Sequence, residues 1–301
     1  MRSSQVWSGV RGRAGRRASV WAWENWRQEV AIDVHVHCKG GEEGEKILPA
    51  MDELGLERIV LMSAPPHYSL ATEEGEIRGH REVIDEIARV VAPDPDRLLG
   101  FAWIEPTLPD GEEMIDYALG EKQMVGIKMI PNQWYPDDER AQRCYQKIAG
   151  YEKPMLFHSG ILWSRGNTSK YCRPAEFEIM MDYPKIRFAL AHMSWPWTDE
   201  CIAVADKLKC TQPEQGHEWS CWVDITTGAP REWKVEALRK ALSYMGHEHL
   251  LYGSDSGLPK GADYSRQRLR EDEEMLREAG ASDEQVEQIM GKNALGWLGL
   301  K

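Results

Sequence analysis

Two histidines stand two residues apart in Asp33-Val34-His35-Val36-His37. Polar residues alternating with valine predict a strand that points Asp33, His35 and His37 to one face. Two imidazoles so placed can grip one metal ion, at about 2.0–2.1 Å for zinc. The same pair would also be satisfied by backbone or carboxylate hydrogen bonds. Three more chemically capable groups follow short apolar runs: His158 after Met155-Leu156-Phe157, His192 after Leu190-Ala191, and Asp255 in Gly253-Ser254-Asp255-Ser256-Gly257. His158 would complete the protein ligands of an open metal site. His192 could be a ligand, polarise a substrate oxygen or activate water. A carboxylate beside a metal can take a proton from water whose pKa the metal lowers towards ~7. Gly-Ser-Asp-Ser-Gly would equally serve as a turn or helix cap.

These residues must be brought together by the elements that carry them. Eight aliphatic or β-branched runs recur: 32–36, 58–62, 98–103, 125–130, 154–157, 186–191, 221–225 and 250–252. Helical periodicity falls between them, at 45–54, 77–91, 112–119, 138–149, 175–181, 199–208, 235–244 and 266–279. Regular alternation implies a parallel sheet, because parallel neighbours need crossover helices. Eight units in about 270 residues is the count that closes a (β/α)8 TIM barrel. An open doubly wound sheet accepts the same alternation, but no G-x-G-x-x-G follows the first strand. His35, His37, His158, His192 and Asp255 all fall at the C-terminal ends of strands, where barrels place their chemistry. The polar run 209–218 reads as a connecting loop.

Composition excludes several classes. The chain has 301 residues and a formal net charge of −12, which argues against nucleic acid as the main partner. No apolar run approaches the roughly 18 residues of a membrane span. Six scattered cysteines without a C-x-x-C pair read as reduced thiols of a cytoplasmic protein. Residues 1–30 differ from the rest, with six arginines against two glutamates and four tryptophans. Their composition superficially resembles a transit peptide, but they read more simply as an extension outside the fold, such as a mis-assigned start would add. The barrel domain is expected over 31–301.

The motif set resembles the amidohydrolase superfamily, and within it the amidohydrolase-2 branch of metal-dependent TIM-barrel hydrolases and decarboxylases. The residues carrying the resemblance are Asp33-x-His35-x-His37, the single histidines closing strands 5 and 6, and Gly253-Ser254-Asp255. Gly126-Ile127-Lys128 with Pro131, and Gly291-Lys292-Asn293-Ala294, extend it from about Ile32 to Leu298. The resemblance implies that His35, His37, His158 and Asp255 bind one divalent ion, with His192 catalytic or an auxiliary ligand and Asp255 also handling a proton. Zinc suits these ligands best, and manganese or iron suits them too. Decarboxylases of the branch often open with a glutamate before a single histidine, so the H-x-H form leans towards hydrolysis. Binuclear relatives bridge two ions with a carboxylated lysine on strand 4; Lys128 reads instead as an ammonium that supports the site or binds substrate.

The substrate side rests on mouth-loop residues. Arg165 and Arg173 after strand 5, with Arg231 and Lys260 further on, suggest an anionic ligand, although surface salt bridges would explain them too. Trp195, with Trp134, Trp163 and Trp197, either walls a pocket or packs loops on the rim. The leading expectation is a metal-dependent hydrolase of a small carboxylated ester, lactone or amide, with homo-oligomers possible. A metal-dependent decarboxylase of an aromatic or unsaturated acid is the alternative, and a non-catalytic binding barrel a third.

Overall fold

The computed structural model describes residues 31–66, 78–163, 166–226 and 228–300; the extension at 1–30, residues 67–68 and Arg165 lie outside them. Eight parallel strands pair in chain order: β1 (Ile32–His37), β2 (Arg58–Met62), β3 (Leu98–Trp103), β4 (Gly126–Met129), β5 (Met155–Phe157), β6 (Phe188–Leu190), β7 (Cys221–Asp224) and β8 (Leu250–Leu251). The ring closes because the segment after β8 bonds back to β1. Val34 N–H donates to Tyr252 C=O at 3.1 Å, Asp255 N–H to His35 C=O at 2.9 Å, and His37 N–H to Ser256 C=O at 2.7 Å. The result is the expected (β/α)8 barrel.

Helices α1 (Gly44–Leu54), α2 (His80–Val91), α3 (Gly111–Ile115), α4 (Glu139–Tyr151), α5 (Thr198–Glu214), α6 (Arg231–Tyr244) and α7 (Ala262–Ala279) lie between or after the strands. The short α8 (Asp283–Glu287) and α9 (Asn293–Leu298) end the chain. Strand residues alternate between two apolar layers. Ile59, Leu61, Ile127, Phe157, Phe188 and Val223 face the helices. Val60, Leu99, Phe101, Leu156, Trp222 and Leu251 fill the barrel interior together with Trp297 of α9. Asn293 anchors that plug, donating from Nδ2 to the carbonyls of His247 at 2.7 Å and Leu250 at 2.9 Å. The Gly-Lys-Asn-Ala segment therefore ties the C-terminus to the start of β8.

Strand β1 departs from the expected alternation. Asp33 stands opposite Ile59 and Val36 opposite Leu61, so Val34 and His35 together face the single residue Val60. This extra residue is a β-bulge. It turns Asp33 to the helix side, while His35 and His37 point into the mouth. The three polar side chains thus do not share one face.

The helices also differ from expectation in three places. Residues expected as a helix over 175–181 wind as a 3₁₀ segment, Pro174–Asp182, in which buried Pro174, Phe177 and Met180 recur every three residues. That repeat puts all three on one side of a 3₁₀ helix, so packing favours it. The helix expected over 112–119 is divided between α3 and one π turn, Asp116–Glu121. The supposed loop 209–218 is helical through Glu214 despite Pro213. Gln212 explains this, because its buried amide donates to Ser220 Oγ at 2.7 Å and accepts from Ser220 N–H at 2.8 Å. That anchor is tertiary, and local composition does not encode it.

Candidate metal centre

Three ligand atoms converge at the C-terminal mouth. His35 Nε2 lies 3.2 Å from His37 Nε2 and 3.5 Å from Asp255 Oδ1, and His37 Nε2 lies 3.1 Å from the same oxygen. Atoms bound to one ion at about 2.1 Å, at angles from a right angle to about 115°, stand roughly 3.0–3.5 Å apart. The triad therefore fits one divalent ion. His158 lines the same cavity, and its buried Nε2 has no hydrogen-bond partner, as expected of a nitrogen that awaits a ligand.

The neighbours orient these rings. His35 Nδ1 lies 2.6 Å from Asp224 Oδ2, which leaves Nε2 to face His37 and Asp255. Metal-ligating histidines characteristically use their second nitrogen in this way. His192 packs at a tilt against His35 and edge-on against His158, with ring centroids 5.1 and 4.9 Å away. Its Nδ1 lies 2.8 Å from Thr226 Oγ1. Burial, then His35, pushes the His192 pKa down to about 4, so the ring is neutral at neutral pH. Burial and His192 likewise hold His158 well below the usual imidazole range.

Backbone geometry at His192 and Asp255 is uncommon. His192, Met193 and Ser194 run consecutively at φ 62°, 48° and 53°, and Asp255 sits at φ 56°. Left-handed conformations in non-glycine residues cost roughly 1–3 kcal/mol each and persist only where packing enforces them. Gly160 does part of that enforcing: a Cβ there would lie 2.4 Å from Trp195 C=O, so the loops after β5 and β6 touch backbone to backbone. Ser194 Oγ donates to Ser159 Oγ at 2.8 Å, and Ser159 Oγ to Ala191 C=O at 2.6 Å, which clamps the same junction.

The metal-facing residues border a cavity of about 270 Å³. Ile130, Ile161, Leu162, Trp163 and Trp195 form its apolar wall, and Lys128 reaches it from β4. Burial lowers the Lys128 pKa to about 8, with Asp255 and Asp224 opposing the shift, so the ammonium is still mostly charged at neutral pH.

Of the described mouth-loop cations, Arg173, Arg231 and Lys260 do not border this cavity. Arg173 is exposed, pairs with Glu200 and lies over the Trp197 ring at 5.0 Å. Arg231 pairs with Glu278 at 2.8 Å. Both are surface salt bridges, as their long side chains favour in water. Trp134 is buried and bonds Glu105 at 3.3 Å, which makes it rim packing. Trp195 and Trp163 do border the cavity. His80 is structural, bridging Asp110 Oδ1 at 2.8 Å and the Glu105 N–H at 3.0 Å.

Sequence reading missed Asp224, which closes β7 as His158 and His192 close β5 and β6. The same rule finds it: inward alternation in Cys221-Trp222-Val223-Asp224 puts a carboxylate at a strand's mouth end.

This constellation on a TIM barrel has a match in a family model described as amidohydrolase, over residues 32–300. The chain belongs to the amidohydrolase-2 family. Enzymes of this family bind a divalent metal, and the described metal-facing residues fit one. The amidohydrolase chain is similar in fold to a 2,6-dihydroxybenzoate decarboxylase from Rhizobium, at 14% identity and TM-score 0.60, covering 90% of this chain and 98% of that one. It is also similar to a 5-carboxyvanillate decarboxylase from Novosphingobium aromaticivorans, complexed with manganese and 4-hydroxy-3-methoxy-5-nitrobenzoic acid. There the identity is 14%, the TM-score 0.63 and the coverage 91% and 97%. A protein described as a probable 2-pyrone-4,6-dicarboxylic acid hydrolase from Acinetobacter baumannii, with citric acid bound, aligns at 13% identity and TM-score 0.61, covering 90% and 99%. No curated protein matches the sequence. Among the described residues no helix is long and apolar enough to cross a membrane.

Proposed function

We propose that the chain is a metal-dependent hydrolase of a small, carboxylated substrate with an ester, lactone or amide bond. One observation carries this reading: a two-histidine, one-aspartate triad with 3.1–3.5 Å spacings stands beside a neutral, half-buried His192. One divalent ion, zinc by ligand preference and manganese or iron as alternatives, would be held by His35, His37, His158 and Asp255. When bound, it supplies Lewis acidity to a carbonyl and acidity to water.

The chain's own groups would do the rest. Either neutral His192 or the Asp255 carboxylate can accept the proton of an attacking water, and whichever group took it returns it to the leaving group. Burial pushes the Asp255 carboxyl up, but His35, His37 and His192 together pull it well below the usual range, so it starts as an anion. Lys128 would grip the substrate carboxylate, and Trp163 and Trp195 would cover its body and exclude water.

Decarboxylation of an aromatic or unsaturated acid is the second reading. The apolar, tryptophan-bordered cavity with one ammonium favours it, as do the activities named for two of the structural relatives. The purified protein, loaded with zinc or manganese, would be offered lactones and hydroxylated aromatic acids. Acid release without carbon dioxide supports hydrolysis; stoichiometric carbon dioxide supports decarboxylation; a protein that takes up no metal defeats both. Six free cysteines, five of them buried, favour a reducing, cytoplasmic setting.

A further inference from the structure

We propose that Asp224 and Thr226, at the mouth end of β7, form a positioning relay that fixes the ring tautomers of His35 and His192 together. Its geometry is independent of the metal reading; its consequence for metal affinity rests on that reading. Asp224 is fully buried. Its Oδ2 lies 2.6 Å from His35 Nδ1 and 2.8 Å from Thr226 Oγ1, and its Oδ1 accepts the Thr226 backbone N–H at 2.8 Å. An ionised carboxylate only accepts, so each of these partners must donate.

The consequence follows from counting hydrogens. His35 must carry its hydrogen on Nδ1, which leaves a lone pair on Nε2, the atom that faces His37 Nε2 and Asp255 Oδ1. Thr226 has one hydroxyl hydrogen, and it points to Asp224. The 2.8 Å contact between Thr226 Oγ1 and His192 Nδ1 is then a hydrogen bond only if the imidazole donates. His192 therefore also carries its hydrogen on Nδ1, and its Nε2 is free to accept a proton. One carboxylate thus presents a ligand lone pair and a base lone pair at the same mouth. The opposite tautomer of His35 would direct an N–H among the ligand atoms instead.

Packing holds the relay closed. A Cβ on Gly253 would lie 2.6 Å from His35 Cβ, 2.9 Å from Thr226 Cγ2 and 3.2 Å from Asp224 Oδ1. The segment after β8, which lies between β7 and β1, is therefore pressed directly against His35, Thr226 and Asp224.

The test uses the full-length protein labelled with ¹⁵N-histidine, metal-free at fixed pH, with long-range ¹H–¹⁵N spectra reporting each ring's tautomer. His35→Gln and His192→Gln assign the two signals. Both rings are expected as Nδ1–H in the wild type. Thr226→Val should shift His192 alone and leave zinc affinity, measured by chelator competition, within about twofold. Asp224→Leu should shift both rings and weaken zinc binding by about 10–100-fold. An Nε2–H form at either ring in the wild type overturns the relay, as does Asp224→Leu with unchanged zinc affinity. Should Asp224→Leu fail to fold, the wild-type and Thr226→Val spectra still decide. A wild type with both rings Nδ1–H but no zinc uptake upholds the relay and removes the metal reading.

Discussion

Asp33 and His35 are separated by one residue yet project to opposite sides of the barrel wall. The bulge in β1 places Asp33 opposite Ile59 on the helix side, and Asp33 Oδ1 braces it by accepting the N–H groups of His35 at 3.0 Å and Ser254 at 2.9 Å. The carboxylate thereby joins β1 to the strand-8 segment that carries Asp255. Burial raises its pKa to about 7, which is the electrostatic cost of using a charged group as a brace in an apolar layer.

The metal assignment makes the first prediction. His35→Ala and His158→Ala should each lose the roughly one equivalent of transition metal expected of the wild type, measured by elemental analysis after gel filtration. Asp255→Asn should keep the fold and lower metal affinity by at least about tenfold. Full metal content in both alanine variants would sink the assignment.

Lys128 gives a prediction of opposite sign. A fully buried ammonium whose pKa falls from 10.5 to about 8 opposes folding at neutral pH. Lys128→Met should therefore stabilise the metal-free protein, by up to about 3 kcal/mol in denaturant unfolding. It should also abolish competition by small carboxylates for the site. A variant less stable than wild type would mean that the ammonium has a partner in the folded state.

Gly253 tests the close packing of β8 on β1. An added methyl there meets His35 Cβ at 2.6 Å and Thr226 Cγ2 at 2.9 Å, neither of which is the end of a flexible side chain. Gly253→Ala should cost about 1–3 kcal/mol from overpacking and weaken metal binding by displacing His35. Calorimetry together with chelator competition reads both effects, and a neutral outcome in both would contradict the packing.

His249 predicts an acid-labile fold. Its ring is sandwiched between Trp219 and Trp222, with centroids 3.7 and 3.9 Å away, and Nδ1 bonds Cys221 C=O at 2.9 Å. Burial holds its pKa at about 4, below the unfolded value of 6.5. Stability is thus complete above about 6.5 and declines as pH falls towards 4, because the unfolded chain binds the proton more readily. The His249 contribution between pH 7 and 5 should be about 1–2 kcal/mol, kept modest by two indole faces that favour the cation. His249→Phe should flatten that portion of the wild-type pH dependence in chemical unfolding. An identical slope in the two proteins would remove His249 as its source.

The alternation of apolar strands with periodic helices determined the barrel, because a parallel strand needs a crossover and eight units close a ring. The same periodicity put His35, His37, His158, His192 and Asp255 at strand ends, since residue type and position along a strand are local properties. Three features were decided only by the tertiary structure. The bulge that separates Asp33 from His35 appears only when β1 is registered against β2. The path of α5 through Pro213 depends on Gln212 reaching Ser220. The pairing of Asp224 with His35 spans 189 residues and forms only once the strand-8 segment is set between β7 and β1. Arg173 shows the converse: its charge and loop position suggested substrate, and its neighbour Glu200 claims it instead. A sequence specifies which groups are available and roughly where along each element they lie. Which partner satisfies each buried or charged group depends on distances between elements, and those exist only in the folded chain.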